Sequence, residues 1–88
     1  MIKLEIIQSI RTPNCSFDWQ KAKIVDSAIL KMKTVIFDIG GTYLNSTTQS
    51  MYSATQLKMI VEFPKNDVQT ARKILKEEFG QLLIIKYC

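Results

Sequence analysis

Two stretches of this sequence alternate apolar and polar residues with a period of two, and each is followed by a segment whose apolar residues recur at helical spacing. In IKLEIIQSI (2–10), Ile2, Leu4, Ile6 and Ile10 share one parity, while Lys3, Glu5 and Ser9 share the other. In LKMIVEF (57–63), Leu57, Met59, Val61 and Phe63 point one way and Lys58, Ile60 and Glu62 the other. Such alternation is the mark of a strand buried on one face only. After the first strand, Pro13-Asn14 supplies a turn. Residues 17–32, FDWQKAKIVDSAILKM, then place Ala22, Val25, Ile29 and Met32 on one helical face, with Trp19 and Ala28 beside them. Ser16 is the expected N-cap; Asp18 suits the positive end of that helix, and Lys31 and Lys33 suit the other. After the second strand, Pro64 ends the extended run. Asn66 and Gln69 have the spacing of a capping box, and the helix it opens buries Val68, Ala71, Ile74 or Leu75, and Phe79. Gly80 is the expected stop, in a left-handed conformation.

Two shorter β-rich runs complete the pattern: TVIFDI (34–39), before Gly40-Gly41, and LLIIKY (82–87). The order is then β-α-β-β-α-β. The expected class is α+β, a ferredoxin-like sandwich in which a four-stranded antiparallel sheet carries two helices on one face. A chain of 88 residues gives room for one core and one layer of helices on one sheet, burying roughly 60–65% of its unfolded surface. A single domain over residues 1–88 is expected, and a Rossmann enzyme, a TIM barrel or a kinase is excluded by size. Hydrophobic residues at 47% and charged residues at 23% place the chain among ordered globular proteins.

Chemistry is sparse. The chain has no histidine and two cysteines, Cys15 and Cys88. This removes zinc sites, Ser-His-Asp triads and Cys-His dyads, so neither a cofactor, a metal nor an enzymatic activity is expected. Two free thiols are expected; the last strand, antiparallel to the first, would put Cys88 near Met1 and far from Cys15. Cys15, just before a helix N-terminus, is a candidate reactive thiol. No run approaches the ~20 apolar residues of a membrane span, and Glu5 interrupts the order of a signal peptide. A cytoplasmic protein without membrane contact is expected.

Between Asp38 and Lys58 there is no charged residue. This segment is expected to be a long central hairpin, with strands near 34–45 and 51–63 around a turn at 45–50; the competing reading is a loop. A strand pair that projects beyond the sheet and lacks charges, proline and bulges is a sticky edge. Thr42, Tyr43, Leu44, Met51 and Tyr52 are therefore the candidate partner-binding residues of the arm. On the open face of the sheet, Ile7 and Ile60 would contribute to an apolar patch of a few hundred Å², the range in which a patch marks an interface. Self-association into a homodimer is the leading expectation, with a different protein partner as the other possibility.

The net charge of +4 is a mild basic excess. Lys21 and Lys23 on the first helix, and Arg72, Lys73 and Lys76 on the second, form a candidate basic patch for an acidic partner or nucleic acid. Nucleic acid is the less favoured partner. Residues 32–46, MKTVIFDIGGTYLNS, resemble the first motif of haloacid-dehalogenase-type phosphatases, in which a strand delivers an aspartate before a Gly-Thr turn. The resemblance implies Asp38 as nucleophile with Thr42 beside it. Gly40 stands where that family usually has a second aspartate, and the family's later motifs need far more chain. DIGGT likewise resembles the phosphate-binding turn of sugar kinases. The βαββαβ order resembles RNA-recognition domains, whose central strands present aromatics to bases; here neither IKLEIIQSI nor LKMIVEF presents one outward.

Overall fold

The computed structural model describes residues 1–11, 18–50 and 54–88. Along them run β1 (Ile2–Arg11), α1 (Asp18–Asp38), β2 (Thr42–Ser50), β3 (Ala54–Phe63), a 3-10 turn (Lys65–Asp67), α2 (Val68–Phe79) and β4 (Ile84–Tyr87). The strands form one sheet in the order β2-β3-β1-β4, and each neighbouring pair is antiparallel. With its two helices, the molecule is of the α+β class.

The parity read from β1 and β3 sets the core. Leu4 lies opposite Val61 and Ile6 opposite Met59, so their side chains emerge on one face of the sheet. All four are buried, with Leu57 and Phe63. The same cluster contains Met32 and Ile36 of α1, Val68, Ala71 and Leu75 of α2, and Leu83 and Ile85 beside or in β4. Both helices therefore cover that one face. A smaller cluster of Ile10, Val25 and Leu57 lies under the N-terminal half of α1. Ala22, expected in this core, is exposed.

Residues 34–39 are not a strand. Thr34–Asp38 form the last turn and more of α1, which runs for 21 residues. Met32, Val35, Ile36 and Ile39 continue the spacing of Val25 and Ile29, and all pack into the core or against it. A six-residue window of TVIFDI satisfies either period; only the longer window shows that burial continues at 3.6 residues per turn, and burial outweighs the weak β preference of Val and Ile.

Gly40 and Gly41 end this helix, for two different reasons. The Gly41 amide donates to Ile36 O at 2.8 Å and the Gly40 amide to Phe37 O at 3.1 Å, the paired bonds of a Schellman stop. Gly40 takes φ 85°, where a Cβ is disfavoured. At Gly41 the obstacle is space: a Cβ would lie 2.5 Å from Phe63 Cε1 and 2.8 Å from Ile36 Cγ2.

The chain then enters β2 directly, so the uncharged centre is mainly strand. Its turn is later than expected: residues 45–50 are paired, with Gln49 opposite Gln56 and Ser50 opposite Thr55, and the connection falls in 51–53, outside the described residues. A bulge between Tyr43 and Asn45 makes Leu44 an extra residue in the ladder. The expected capping box at Asn66 and Gln69 is not formed. Asn66 lies in the 3-10 turn after Pro64, and the N-cap is Asp67, without a side-chain cap bond; its amide is satisfied by Pro64 O at 2.9 Å. Gly80 does end α2, at φ 100° and ψ 160°, an extended mirror region rather than the left-handed helical well and essentially open only to glycine. β4 starts at Ile84 rather than residue 82, leaving Leu82 exposed.

Candidate interaction surface

The antiparallel registers lay out the open face row by row. One row is Asn45, Ile60, Glu5 and Lys86; the next is Thr47, Lys58, Ile7 and Ile84. Lys3 and Glu62 face each other above them, and Lys58 Nζ approaches Glu5 Oε1 at 3.9 Å. Ile7 is only 8% exposed and Ile60 is half-buried. Ile7 lies opposite Ile84, which is exposed, and diagonal to Ile60, so three aliphatics adjoin one another, bordered by Glu5, Lys58 and Lys86. Neither central strand presents an aromatic outward, so the stacking platform of RNA-recognition domains has no counterpart on β1 or β3.

The two edges of the sheet differ more than its faces. At one edge β4 has four residues, Ile84–Tyr87, including Lys86, and just beyond it the Cys88 amide donates to Lys3 O at 3.1 Å. Short length and an edge lysine are devices that discourage further pairing. At the other edge β2 has nine residues, TYLNSTTQS, without a charge or a proline.

The arm residues divide on β2. Thr42 and Leu44 are exposed, whereas Tyr43 is half-buried and turned toward the helix layer. Its hydroxyl shares a 2.8 Å hydrogen bond with Ser46 Oγ, and the Lys33 ammonium stands 4.2 Å from its ring centroid. This cation–π contact ties α1 to the start of β2. Met51 and Tyr52 lie outside the described residues, as do Cys15 and Ser16.

Beside the β2 edge runs an apolar stripe that the sequence reading missed. Trp19, Leu30 and Phe37 fall within about 20° of one another around α1 at ~100° per residue. Leu30 is 67% exposed and Phe37 80%, and Trp19 is exposed too. Contacts on either flank of α1 orient the stripe. On one flank Lys31 lies over Phe79 of α2. On the other, Lys33 reaches Tyr43, and a recess of about 300 Å³ brings Ala22, Asp26 and Ile29 beside Thr48 and Ser50. The stripe lies on this second flank, toward β2. The angular arithmetic was available in the sequence; Trp19, taken as a neighbour of the buried face, sits about 120° from it by the same count.

The recess is floored by Thr55, 3% exposed, whose Oγ1 has no hydrogen-bond partner; the buried Gln8 Oε1 has none either. Gln8 occupies the inward parity of β1 opposite Leu57, a polar break in an otherwise apolar row that parity alone could have exposed.

The basic residues do not form one patch. Lys21 lines the recess on the β2 side of α1. Arg72, Lys73 and Lys76 line, with Gln69, a shallow cleft of about 270 Å³ on α2. Arg72 lies 5.4 Å from the Tyr87 ring centroid, and Arg72 Nη1 and Gln69 Nε2 are 3.5 and 3.4 Å from the Tyr87 hydroxyl. These residues belong to the β4 side of the molecule. Lys23 is exposed on α1.

Asp38 is the last residue of α1 and is exposed. The strand–Asp–turn geometry implied by the phosphatase and sugar-kinase resemblances is therefore not what these residues form. A helix C-terminus carries partial negative charge, the wrong sign for holding phosphate, and Gly40 and Gly41 serve the stop and the close approach to Phe63. Among the described residues no group of three or more Cys, Asp or Glu could hold a metal ion, and no helix is long and apolar enough to cross a membrane. Cys88 is exposed and free. No protein-family model matches the chain, and no curated protein matches it.

Proposed function

We propose that the chain is a small non-enzymatic binding protein of ferredoxin-like arrangement, acting through self-association and protein–protein contacts. The fold reading is supported by the strand order β2-β3-β1-β4 with a helix after β1 and another after β3. The observation that carries the functional reading is the β2 edge: nine uncharged residues flanked by exposed apolar side chains of α1. Unpaired backbone groups along such an edge accept another strand. Action in the cytoplasm, where thiols stay reduced, fits the free, exposed thiol of Cys88. Sedimentation velocity over a range of concentrations tests the reading, with a concentration-dependent shift from monomer to dimer as the expected result. A chain that stays monomeric and binds no protein through β2 would end it.

A second reading has one observation in its favour, the α2 cleft lined by Arg72, Lys73 and Lys76 without a carboxylate. It would accept an acidic protein segment or a nucleic-acid backbone. Salt separates the two: binding to phosphates falls steeply as salt rises, whereas strand pairing and apolar contact persist.

A further inference from the structure

We propose that the occupant of the β2 edge is β2 of a second copy, paired antiparallel about a two-fold axis through Thr47. This rests on the self-association reading above and specifies its surface. In an isologous contact every residue meets itself or its symmetry mate, so a charge near the axis would face its own copy. The absence of charge between Asp38 and Lys58 makes β2 self-compatible in a way that β4, with Lys86 among four residues, is not.

The bulge fixes where the pairing starts. Regular alternation on β2 begins after Leu44, leaving 45–50 as the straight run. Residues opposite each other must share a face, so the axis passes through a residue rather than between two. With the axis at Thr47 the pairs are Thr47 with Thr47, Ser46 with Thr48, and Asn45 with Gln49. All are uncharged hydrogen-bonding pairs, of the kind that stabilises adjacent strands.

The helix layer favours the same centre. Phe37 and Lys33 stand beside Tyr43, and Asp26 and Ile29 beside Thr48 and Ser50. Leu30 falls between these anchor points, level with the middle of β2. A two-fold axis there brings the Leu30 side chains of the two copies toward each other across the junction and buries the exposed stripe. About an axis at Thr47 the two copies of β2 overlap over 44–50, which spans about 23 Å, and the molecule is about 20 Å thick in its shorter dimensions. The wall is thus about 460 Å² per copy, or ~900 Å² in total, the size of a weak, reversible contact rather than of an obligate dimer.

The test is cysteine scanning in the full chain with Cys15→Ser and Cys88→Ser. Thr47→Cys is expected to form a disulfide-linked dimer under oxidised glutathione about tenfold faster than Thr48→Cys or Gln49→Cys, because only at the axis do the two Cα atoms come within disulfide reach. Thr47→Lys and Leu30→Glu, each checked by circular dichroism for an unchanged fold, are expected to weaken the dimer about tenfold or more through like charges at the axis. Faster crosslinking at residue 48 or 49 overturns the register. A dimer indifferent to Thr47→Lys and Leu30→Glu overturns the surface while leaving self-association standing. A folded wild-type chain that remains a monomer at ~100 μM, well above the Kd of a specific dimer, removes both.

Discussion

The sheet's two edges, β4 and β2, are each bordered by a strand of the same core, yet they present opposite chemistry. The β4 edge is four residues long, carries a lysine and ends in a backbone bond from Cys88 to Lys3. The β2 edge is nine residues long and uncharged, and the nearby flank of α1 exposes Leu30 and Phe37 between Asp26 and Lys33. One small sheet thus combines an edge protected against further pairing with one that is not. A heterologous contact joining the two different edges would propagate into a filament; the pairing proposed above, through β2 alone, would close at two copies.

The largest test of this contrast removes what anchors the β2 side. Phe63→Ala is expected to cost about 3–5 kcal/mol of unfolding free energy, measured by urea titration, because its side chain is fully buried. Gly41→Ala, which drives a Cβ into the Phe63 ring, is expected to cost about 1–3 kcal/mol. It should speed amide exchange across β2 more than across β4. The two changes should be coupled, Gly41→Ala costing less once the ring is gone; additivity would show that the ring is not the obstacle. Thr47→Lys follows: dimer affinity falls about tenfold while monomer stability moves by no more than ~0.5 kcal/mol, read by sedimentation and urea titration. The smallest effect is Lys86→Val. It removes the guard of the short edge, yet with four residues available the dimer-to-larger-species ratio in light scattering should barely change. Extensive aggregation would mean that this single charge, rather than strand length, closes that edge.

Much of the architecture was legible where one residue type dominates one parity. Leu57, Met59, Val61 and Phe63 defined the buried face of β3 without ambiguity, and Val68 and Ala71 that of α2, where the choice between Ile74 and Leu75 stayed open until burial settled it on Leu75. Legibility failed where two periods fit the same letters, as in TVIFDI, and where a strand has no apolar face to reveal it. β2 is such a strand: its side chains are mostly polar and exposed, so only its register against β3 identifies it. The site was half legible. The missing charge between Asp38 and Lys58 pointed to Thr42, Tyr43 and Leu44, and strand parity pointed to Ile7 and Ile60; Ile7 itself is nearly covered, and the exposed aliphatic beside it is Ile84. The stripe of Leu30 and Phe37 was hidden because α1 was read as ending too early to include Phe37.

The single supernumerary residue in β2 carries a consequence of its own. By inserting Leu44, the chain changes the phase of everything downstream: Tyr43 shares a side with Ser46, Thr48 and Ser50 instead of with the odd-numbered positions. Removing that residue would restore strict odd–even bookkeeping in the numbering while leaving every downstream contact with β3 in place. This point of the ribbon therefore tolerates a change in length without rebuilding the molecule. One codon gained or lost there would change the length of the edge proposed above to pair with a second copy.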